Sequence, residues 1–472
     1  MVWGGNDGAV DNWVKQLENN DPKLESLHIL SFRRVSTKDL ERIFKAIAYN
    51  TVLTELYISG HALDASSADQ LSESLTLNET LKTLNLGNAT FGKDPQIFGL
   101  FCEGLAANES LTKLDLENKG LLSNDDEKYS TVKLLAGSLA KNKHLEELNL
   151  ARNDLDNTAI EFLAPAFANL LNVNVSMNKI GPEGAEILSR QMSASQDYKL
   201  QELNLSDNPL LNGATIFVAA LAHNKHLRVL KMVDVVSDAQ EEMSLPPPAV
   251  EEGGGKLDEA KKEDDPARTV HGNALAIALG QALATNKTLT HVWLDNNSIE
   301  SNALQLLACY LAQSAVQELK LRQNRIDDEG AVLLAQATSG YLRFLELGEN
   351  IVKAKGFGVL LDTNLEYLGL FGNAVNGFGE TPDVLPALKE SSIEQLDIGC
   401  NQIVHQDLEA MVEILLNDGV PKLKVLEMGG NVLDNEMDVW EATIEKLLAR
   451  RDLEVVWKRQ PTQMENAPPP VL

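Results

Sequence analysis

Three cysteines and eight histidines are the residues best equipped for metal or nucleophile chemistry in this 472-residue chain, and their spacing supports neither. Cys102, Cys309 and Cys400 stand far apart, with no CxxC pair and no histidine at ligand spacing, so they read as buried or free thiols of a reducing compartment. His223 and His226 are close, but a zinc site needs further ligands and the flanking residues supply none. No GxxxxGK[ST], GxSxG or HExxH occurs, and the abundant carboxylates fall into no catalytic spacing. We therefore expect no catalysis, no cofactor and no metal.

A different set of side chains returns at a fixed place in a repeated frame. Residues 145–155 read LEELNLARNDL, residues 200–210 LQELNLSDNPL and residues 316–326 VQELKLRQNRI. The first apolar position of the frame recurs at Leu24, Leu53, Leu81, Leu111, Leu145, Leu170, Leu200, Leu227, Leu289, Val316, Leu342, Leu365, Ile393, Leu423 and Leu453. Most intervals are roughly 23 to 30 residues. Within each frame LxL is a short strand whose alternate residues take opposite faces, so Leu148 and Leu150 point inward and Glu147 and Asn149 outward. A helical stretch follows. In ALQLLACYLAQS, Leu304, Leu307, Ala308 and Leu311 fall at steps of 0, 3, 4 and 7 and form one apolar stripe. No unit of this size closes its own core, so the units must stack.

Composition agrees with thin repeated layers. The chain is 44% hydrophobic but only 5% aromatic, and its formal charge of -28 repels nucleic-acid phosphates and anionic lipid alike. Neither a basic leader nor about 18 consecutive apolar residues is present, so we expect an intracellular protein, cytoplasmic in preference to nuclear, with no membrane or nucleic-acid partner. We expect a monomer.

The frame LxxLxLxxNxI/L, followed by a helix ending near AxxLAxN, resembles the ribonuclease-inhibitor-like class of leucine-rich repeats, which also includes Ran GTPase-activating proteins and the repeat domains of NOD-like receptors. The resemblance implies an α/β solenoid, a horseshoe with parallel strands on its concave face and helices on its convex face. It also implies that Asn153, Asn178, Asn208, Asn297, Asn324, Asn350, Asn373, Asn401 and Asn431 form a structural ladder bonded to backbone between turns. Phe32, His61, Ala89, Lys119 and Val235 stand where the ladder asparagine is missing, which reads as drift.

The expected organisation is a capping helix in residues 1–22, a solenoid of about 15 repeats over residues 23–458 and a Pro-rich tail at residues 459–472. Within the solenoid, residues 237–269 are acidic and rich in Pro and Gly, and are expected to be a disordered insertion between the strand and helix of one repeat. A second, smaller acidic insertion is expected at residues 123–130.

Reading the outward strand positions in order gives a change of character. Asn85, Asp115, Glu117, Glu147, Asn149, Asn174, Glu202, Asn204 and Asp207 are amides and carboxylates. Lys231, Trp293, Lys320, Arg322, Phe344, Glu346, Tyr367 and Phe371 follow, a basic and aromatic set of the kind that dominates binding hot spots. This set is the expected contact with a protein partner, and the long insertion has the reach to cover its lysines and arginine: about 34 flexible residues span roughly 30 Å. The expected function is a non-catalytic protein-binding module, scaffold or regulator. The alternative is a GTPase-activating protein for a Ran-like small GTPase, in which Arg152 and Asn153 on the polar rim orient the GTPase.

Overall fold

A computed structural model of the chain describes residues 7–123, 130–194, 198–237 and 265–458. The centre of the long acidic insertion, residues 238–264, the core of the smaller one, residues 124–129, and the tail at residues 459–472 lie outside the described residues. The chain divides into two compact units, Met1–Pro247 and Pro248–Leu472.

The first unit carries eight short strands: β1 Ser26–His28, β2 Glu55–Tyr57, β3 Thr83–Asn85, β4 Lys113–Asp115, β5 Glu147–Asn149, β6 Asn172–Asn174, β7 Glu202–Asn204 and β8 Val229–Lys231. The second carries seven: β9 His291–Trp293, β10 Glu318–Lys320, β11 Phe344–Glu346, β12 Tyr367–Gly369, β13 Gln395–Asp397, β14 Val425–Glu427 and β15 Glu454–Val456. Within each unit every strand pairs in parallel with the next one in sequence, and the pairing has no slip: Leu319 aligns with Leu345 and Leu345 with Leu368. Because side chains alternate across a strand, this register stacks the central leucines into one buried row and all flanking residues onto one open face. Helices between the strands complete the core from the other side. The expected stripe Leu304, Leu307, Ala308 and Leu311 is buried on the helix Leu304–Leu311, and Val10, Val14 and Leu17 are buried on the first helix, Asp7–Glu18.

One helix starts earlier than its sequence suggests. Pro266–Leu283 begins inside the span expected as insertion, with Asp265 as its N-cap accepting from Ala267 N and proline in the first turn. An Asp-Pro step is a helix start as well as a turn signal, and the acidic surroundings obscured it.

The ladder asparagines are buried and bonded on both sides. Asn350 Nδ2 donates to Leu347 O and Gly348 O of its own turn at 3.0 and 3.2 Å and to Leu321 O of the preceding turn at 2.9 Å. Its Oδ1 accepts from Ile326 N at 2.9 Å. Asn153, Asn178, Asn208, Asn324, Asn373, Asn401 and Asn431 repeat the arrangement with their own turns. Asn297 Nδ2 donates to Asp295 O within its own turn, and its N–H donates to Asn324 Oδ1 of the next. The residue just before the ladder takes a left-handed backbone, with φ of 58° at Arg152, 55° at Gln323 and 52° at Glu349. Glycine occupies the same place at Gly372 and Gly430 without the steric cost.

Two of the expected drifted positions are filled by working substitutes. The buried ring of His61 lies 3.2 Å from Ile29 O through Nε2. Lys119 is also buried, and its Nζ donates to Gly87 O at 2.9 Å and Ser59 Oγ at 2.8 Å, crossing the turn in which Ala89 offers no polar group. Burial lowers the pKa of that ammonium, with Asp115 and Glu117 opposing the shift. Val235 is buried and Phe32 is 76% exposed, and neither side chain carries a polar group.

A second asparagine series runs at the helix ends and was not assigned from the sequence. Asn78 Nδ2 donates to Ile47 O and Asn50 O, while its Oδ1 accepts from Thr80 N and Leu81 N. Asn142 makes the equivalent bonds to Leu105 O, Asn108 O, His144 N and Leu145 N. The signal is visible as N-x-x-L, in NTVL, NETL, NESL, NKHL and NKTL, always three residues before the frame leucine.

Candidate partner-binding faces

The in-phase register brings the outward residues of the second unit onto one surface. Trp293 and Lys320 are aligned neighbours on β9 and β10, and Lys320 Nζ sits 3.9 Å from the Trp293 ring centroid and 5.5 Å from that of Phe344. Phe344 and Tyr367 stack in parallel across β11 and β12 with centroids 3.9 Å apart. The Tyr367 hydroxyl donates to Glu346 Oε2 at 2.9 Å, and Gly348 N donates to Glu346 Oε1 at 2.7 Å. Arg322 lies 5.5 Å from the Phe371 ring. All four rings are half-buried.

The cations of this surface are engaged by local carboxylates. Glu318 takes the Trp293 indole N–H at 2.7 Å and Lys320 Nζ at 3.3 Å. Arg322 pairs with Glu349, which also accepts from Gln323 Nε2 at 2.6 Å. Lys231 stands on β8 of the first unit, where its Nζ is 2.6 Å from Glu202 Oε1. The expected reach of the insertion toward Lys231, Lys320 and Arg322 falls on residues outside the described ones.

On the first unit the open face is a polar network. Asp115 accepts from Asn85 Nδ2 at 2.6 Å and from Asn149 Nδ2 at 3.1 Å, and Asn174 Nδ2 continues the line to Asn149 Oδ1 at 3.0 Å. Glu147 pairs with Lys113 at 3.0 Å and Glu117 with Arg152 at 3.4 Å. Asn204 Oδ1 accepts from Ser206 N. With Tyr57, many of these residues line one shallow groove. Burial, helped by Asp234, raises the pKa of Asp207.

Two carboxyls of the second unit are strained by their setting. Burial pushes Asp295 up to about 6, against the Arg322 backbone N–H and the nearby Lys320. Burial also pushes Asp397 up to about 6, with Glu427 and Glu346 adding to it. The folded state thus holds the Asp397 proton more tightly than the unfolded chain, so this group's contribution to stability falls as pH rises from about 4 to about 6 and stays low above that. Asp397→Asn keeps an acceptor for Gly399 N and removes the charge. The variant is expected to be more stable than the parent by about 1 to 2 kcal/mol at pH 7.5, allowing for solvent screening of a half-buried carboxyl. The difference is expected to close near pH 4; equal melting shifts at both pH values would show that Asp397 ionises freely.

Among the described residues no helix is long and apolar enough to cross a membrane, and no group of three or more His, Cys, Asp or Glu is placed to hold a metal. Cys102 is buried and its thiol pushed up to about 12 by that burial, while Cys309 and Cys400 are exposed, and none of the three is in a disulfide.

Comparisons with known proteins bear on this geometry. Residues 6–122 match the TMOD/LMOD leucine-rich domain, and residues 141–164, 168–189 and 315–335 match the leucine-rich repeat. The chain is 26% identical over 403 residues to NACHT, LRR and PYD domains-containing protein 14 of Mus musculus, a match covering 79% of this chain and 38% of that protein. To leiomodin-2 of Rattus norvegicus it is 26% identical over 132 residues, 28% of this chain and 24% of that protein. It thus spans well under half the length of these relatives. The solved structure of leiomodin-1 actin-binding site 2 superposes with a TM-score of 0.26 at 23% identity, covering 29% of this chain and 76% of that one. In-phase parallel strands, alternating helices and recurring sequence frames make the chain a leucine-rich repeat protein of the ribonuclease-inhibitor-like class, a fold that serves as a protein-binding module.

Proposed function

We propose that the chain is a non-catalytic scaffold or regulator that takes a protein partner on the strand face of its second unit, with Trp293, Phe344, Tyr367 and Phe371 as apolar contacts among Lys320, Arg322 and Glu346. One observation carries the reading: the four half-buried rings share one face, and each is already held by a neighbour, through the Glu318 bond to Trp293, the Phe344–Tyr367 stack and the Arg322 guanidinium at Phe371. Rings fixed before contact lose little side-chain freedom on binding, which is where rotamer-rich surfaces lose affinity. The first unit's amides and carboxylates are mutually bonded, so a partner there must replace bonds as it makes them. A GTPase-activating role draws no support from the rim. Asn153 is buried with its amide bonded to Leu116 O, Leu150 O and Ala151 O, and Arg152 is engaged by Met177 and Glu117.

Capture from native lysate on the immobilised chain, followed by titration of the recovered partner, tests the reading. Trp293→Ala, Tyr367→Ala and Phe371→Ala are each expected to weaken binding by about 1 to 4 kcal/mol with little change in melting. Asn149→Ala and Asn174→Ala should do less. The opposite ranking would move the site to the first unit.

A further inference from the structure

Adjacent arginines occur twice in this acidic chain, at Arg33–Arg34 and Arg450–Arg451, and only the first pair has a hydroxyl two residues on. Ser36, in FRRVST, is the one serine or threonine of the chain with arginine both three and two residues before it. The segment joins β1 to the helix Thr37–Ile47 of the first unit, and Phe32, Arg33, Arg34 and Ser36 are all exposed. This exposure has a cause in the repeat. Phe32 stands where later turns carry the ladder asparagine, and a phenyl ring offers no counterpart to the four bonds that Asn350 gives its turn. Two backbone bonds within the segment are local, Arg33 N to Leu30 O at 2.9 Å and Val35 N to Arg33 O at 3.0 Å. Contact with the second turn is made on either side of it, by Ser31 against Gly60 and by the Thr37 hydroxyl on the Asp64 carboxylate.

Ser36 itself has an extended backbone, with φ of -76° and ψ of 162°, and caps the helix that follows. Its Oγ accepts from Asp39 N at 3.2 Å and donates to Asp39 Oδ2 at 2.7 Å, and its N–H donates to the same carboxylate oxygen at 3.3 Å. A phosphate on Oγ keeps acceptors for the N–H groups of the first turn, and its charge is favoured at that end of a helix. It also meets the Asp39 carboxylate, so one cap replaces the other. Arg42 already stands 3.5 Å from Asp39 to share the added charge.

We propose that Ser36 is a phosphorylation site for an arginine-directed serine kinase, with Arg33 and Arg34 as the pair that such a kinase recognises. Two guanidiniums on an exposed segment offer planar donor forks to carboxylates in the kinase cleft, which an ammonium cannot match. Ser36 Oγ attacks the γ-phosphorus of ATP held by the kinase. The new O–P bond forms as the bond from that phosphorus to the β,γ-bridging oxygen breaks, ADP leaves, and the hydroxyl proton passes to the catalytic aspartate of the kinase. Thr37 has Arg34 three residues before it, but its hydroxyl is held by Asp64. The site lies on the first unit and does not depend on the second unit's strand face binding a partner.

The test incubates the folded full chain with the catalytic subunit of cyclic-AMP-dependent protein kinase, ATP and magnesium, and reads intact mass and the modified peptide by mass spectrometry. One phosphate is expected, on Ser36, and none in Ser36→Ala. Seating the segment in a kinase cleft releases the Asp39 cap and the Leu40 N to Ser36 O bond, so the folded chain is expected to react about tenfold more slowly than the free peptide of residues 30–40. Arg33→Ala and Arg34→Ala should each slow the reaction at least tenfold in the chain and in the peptide. The peptide arm keeps the test sound if Arg33→Ala disturbs the fold, since Arg33 lies 5.9 Å from the Trp13 ring. Ser193, with only Arg190 three residues before it and its Oγ donating to Ser189 O at 2.8 Å within the helix Pro182–Ala194, should stay unmodified. A folded chain that takes no phosphate while the peptide does, phosphate on other residues with Ser36 bare, or rates indifferent to both arginines overturns the proposal.

Discussion

Leu345→Ala is expected to lower the unfolding free energy by about 2 to 5 kcal/mol. Leu345 is 0% exposed at the centre of β11 and lies in register between Leu319 of β10 and Leu368 of β12, themselves both 0% exposed. Deleting its branched end opens a void that neighbouring turns have little freedom to fill. Their backbones are tied across the gap by Asn350 on one side and Asn373 on the other. Cost per buried methylene is highest where collapse is prevented. In a stack each turn also supports the one before and the one after, so an interior loss weakens two interfaces. Urea melts of the variant should show a lower midpoint. Ile351→Ala, at a position 54% exposed, should shift it by less than about 0.5 kcal/mol and controls for the substitution itself. A comparably small loss at Leu345 would mean that the strand faces the other way.

Strand and helix placement was legible because it depends on short-range periodicity. Leu148 and Leu150 alternate on one strand, and Leu304, Leu307, Ala308 and Leu311 fall on one helical face, and both patterns are complete within a dozen residues. The helix ends were less legible. Asn78 and Asn142 announce themselves in N-x-x-L, but their bonds go to carbonyls about thirty residues earlier, such as Asn78 to Ile47. A frame read one repeat at a time does not show a contact made between repeats.

The same limit explains the substitutes for the ladder. Lys119 interrupts an asparagine series, so it reads as drift, yet its length lets one side chain serve the turns of both Gly87 and Ser59. Only the stacking distance between turns, absent from the sequence pattern, makes a lysine suitable there. On the candidate face the positions of Trp293, Lys320, Arg322, Phe344, Glu346, Tyr367 and Phe371 followed from alternation. Their charge state as a surface did not. Lys320 and Arg322 suggested a basic patch, but Lys320 pairs with Glu318 on its own strand and Arg322 with Glu349 one turn on. The Arg322–Glu349 pair joins residues a whole repeat apart in sequence, so a frame read one repeat at a time does not show it.

Asn350 separates a structural role from a binding role most sharply. Asn350→Ala would leave Leu321 O, Leu347 O, Gly348 O and Ile326 N without this partner in a site only 6% exposed. Each orphaned buried group costs on the order of 1 to 3 kcal/mol, and partial relaxation keeps the sum near 2 to 4 kcal/mol. Asn350→Asp is expected to be worse at pH 7, because a carboxylate of the same shape has no donor for the three carbonyls that converge on Nδ2 and meets their negative ends instead. Protonation restores one donor. The folded pKa of the introduced acid is therefore raised above its unfolded value, and its penalty should shrink as pH falls toward 4 and grow as pH rises toward 7. Thermal melts of the parent and both variants across that range measure this directly, with Asn350→Ala following the parent's pH dependence and Asn350→Asp departing from it. If instead both variants melted like the parent and lost partner binding, Asn350 would be a contact residue, and the asparagine series would have to be read as a recognition surface.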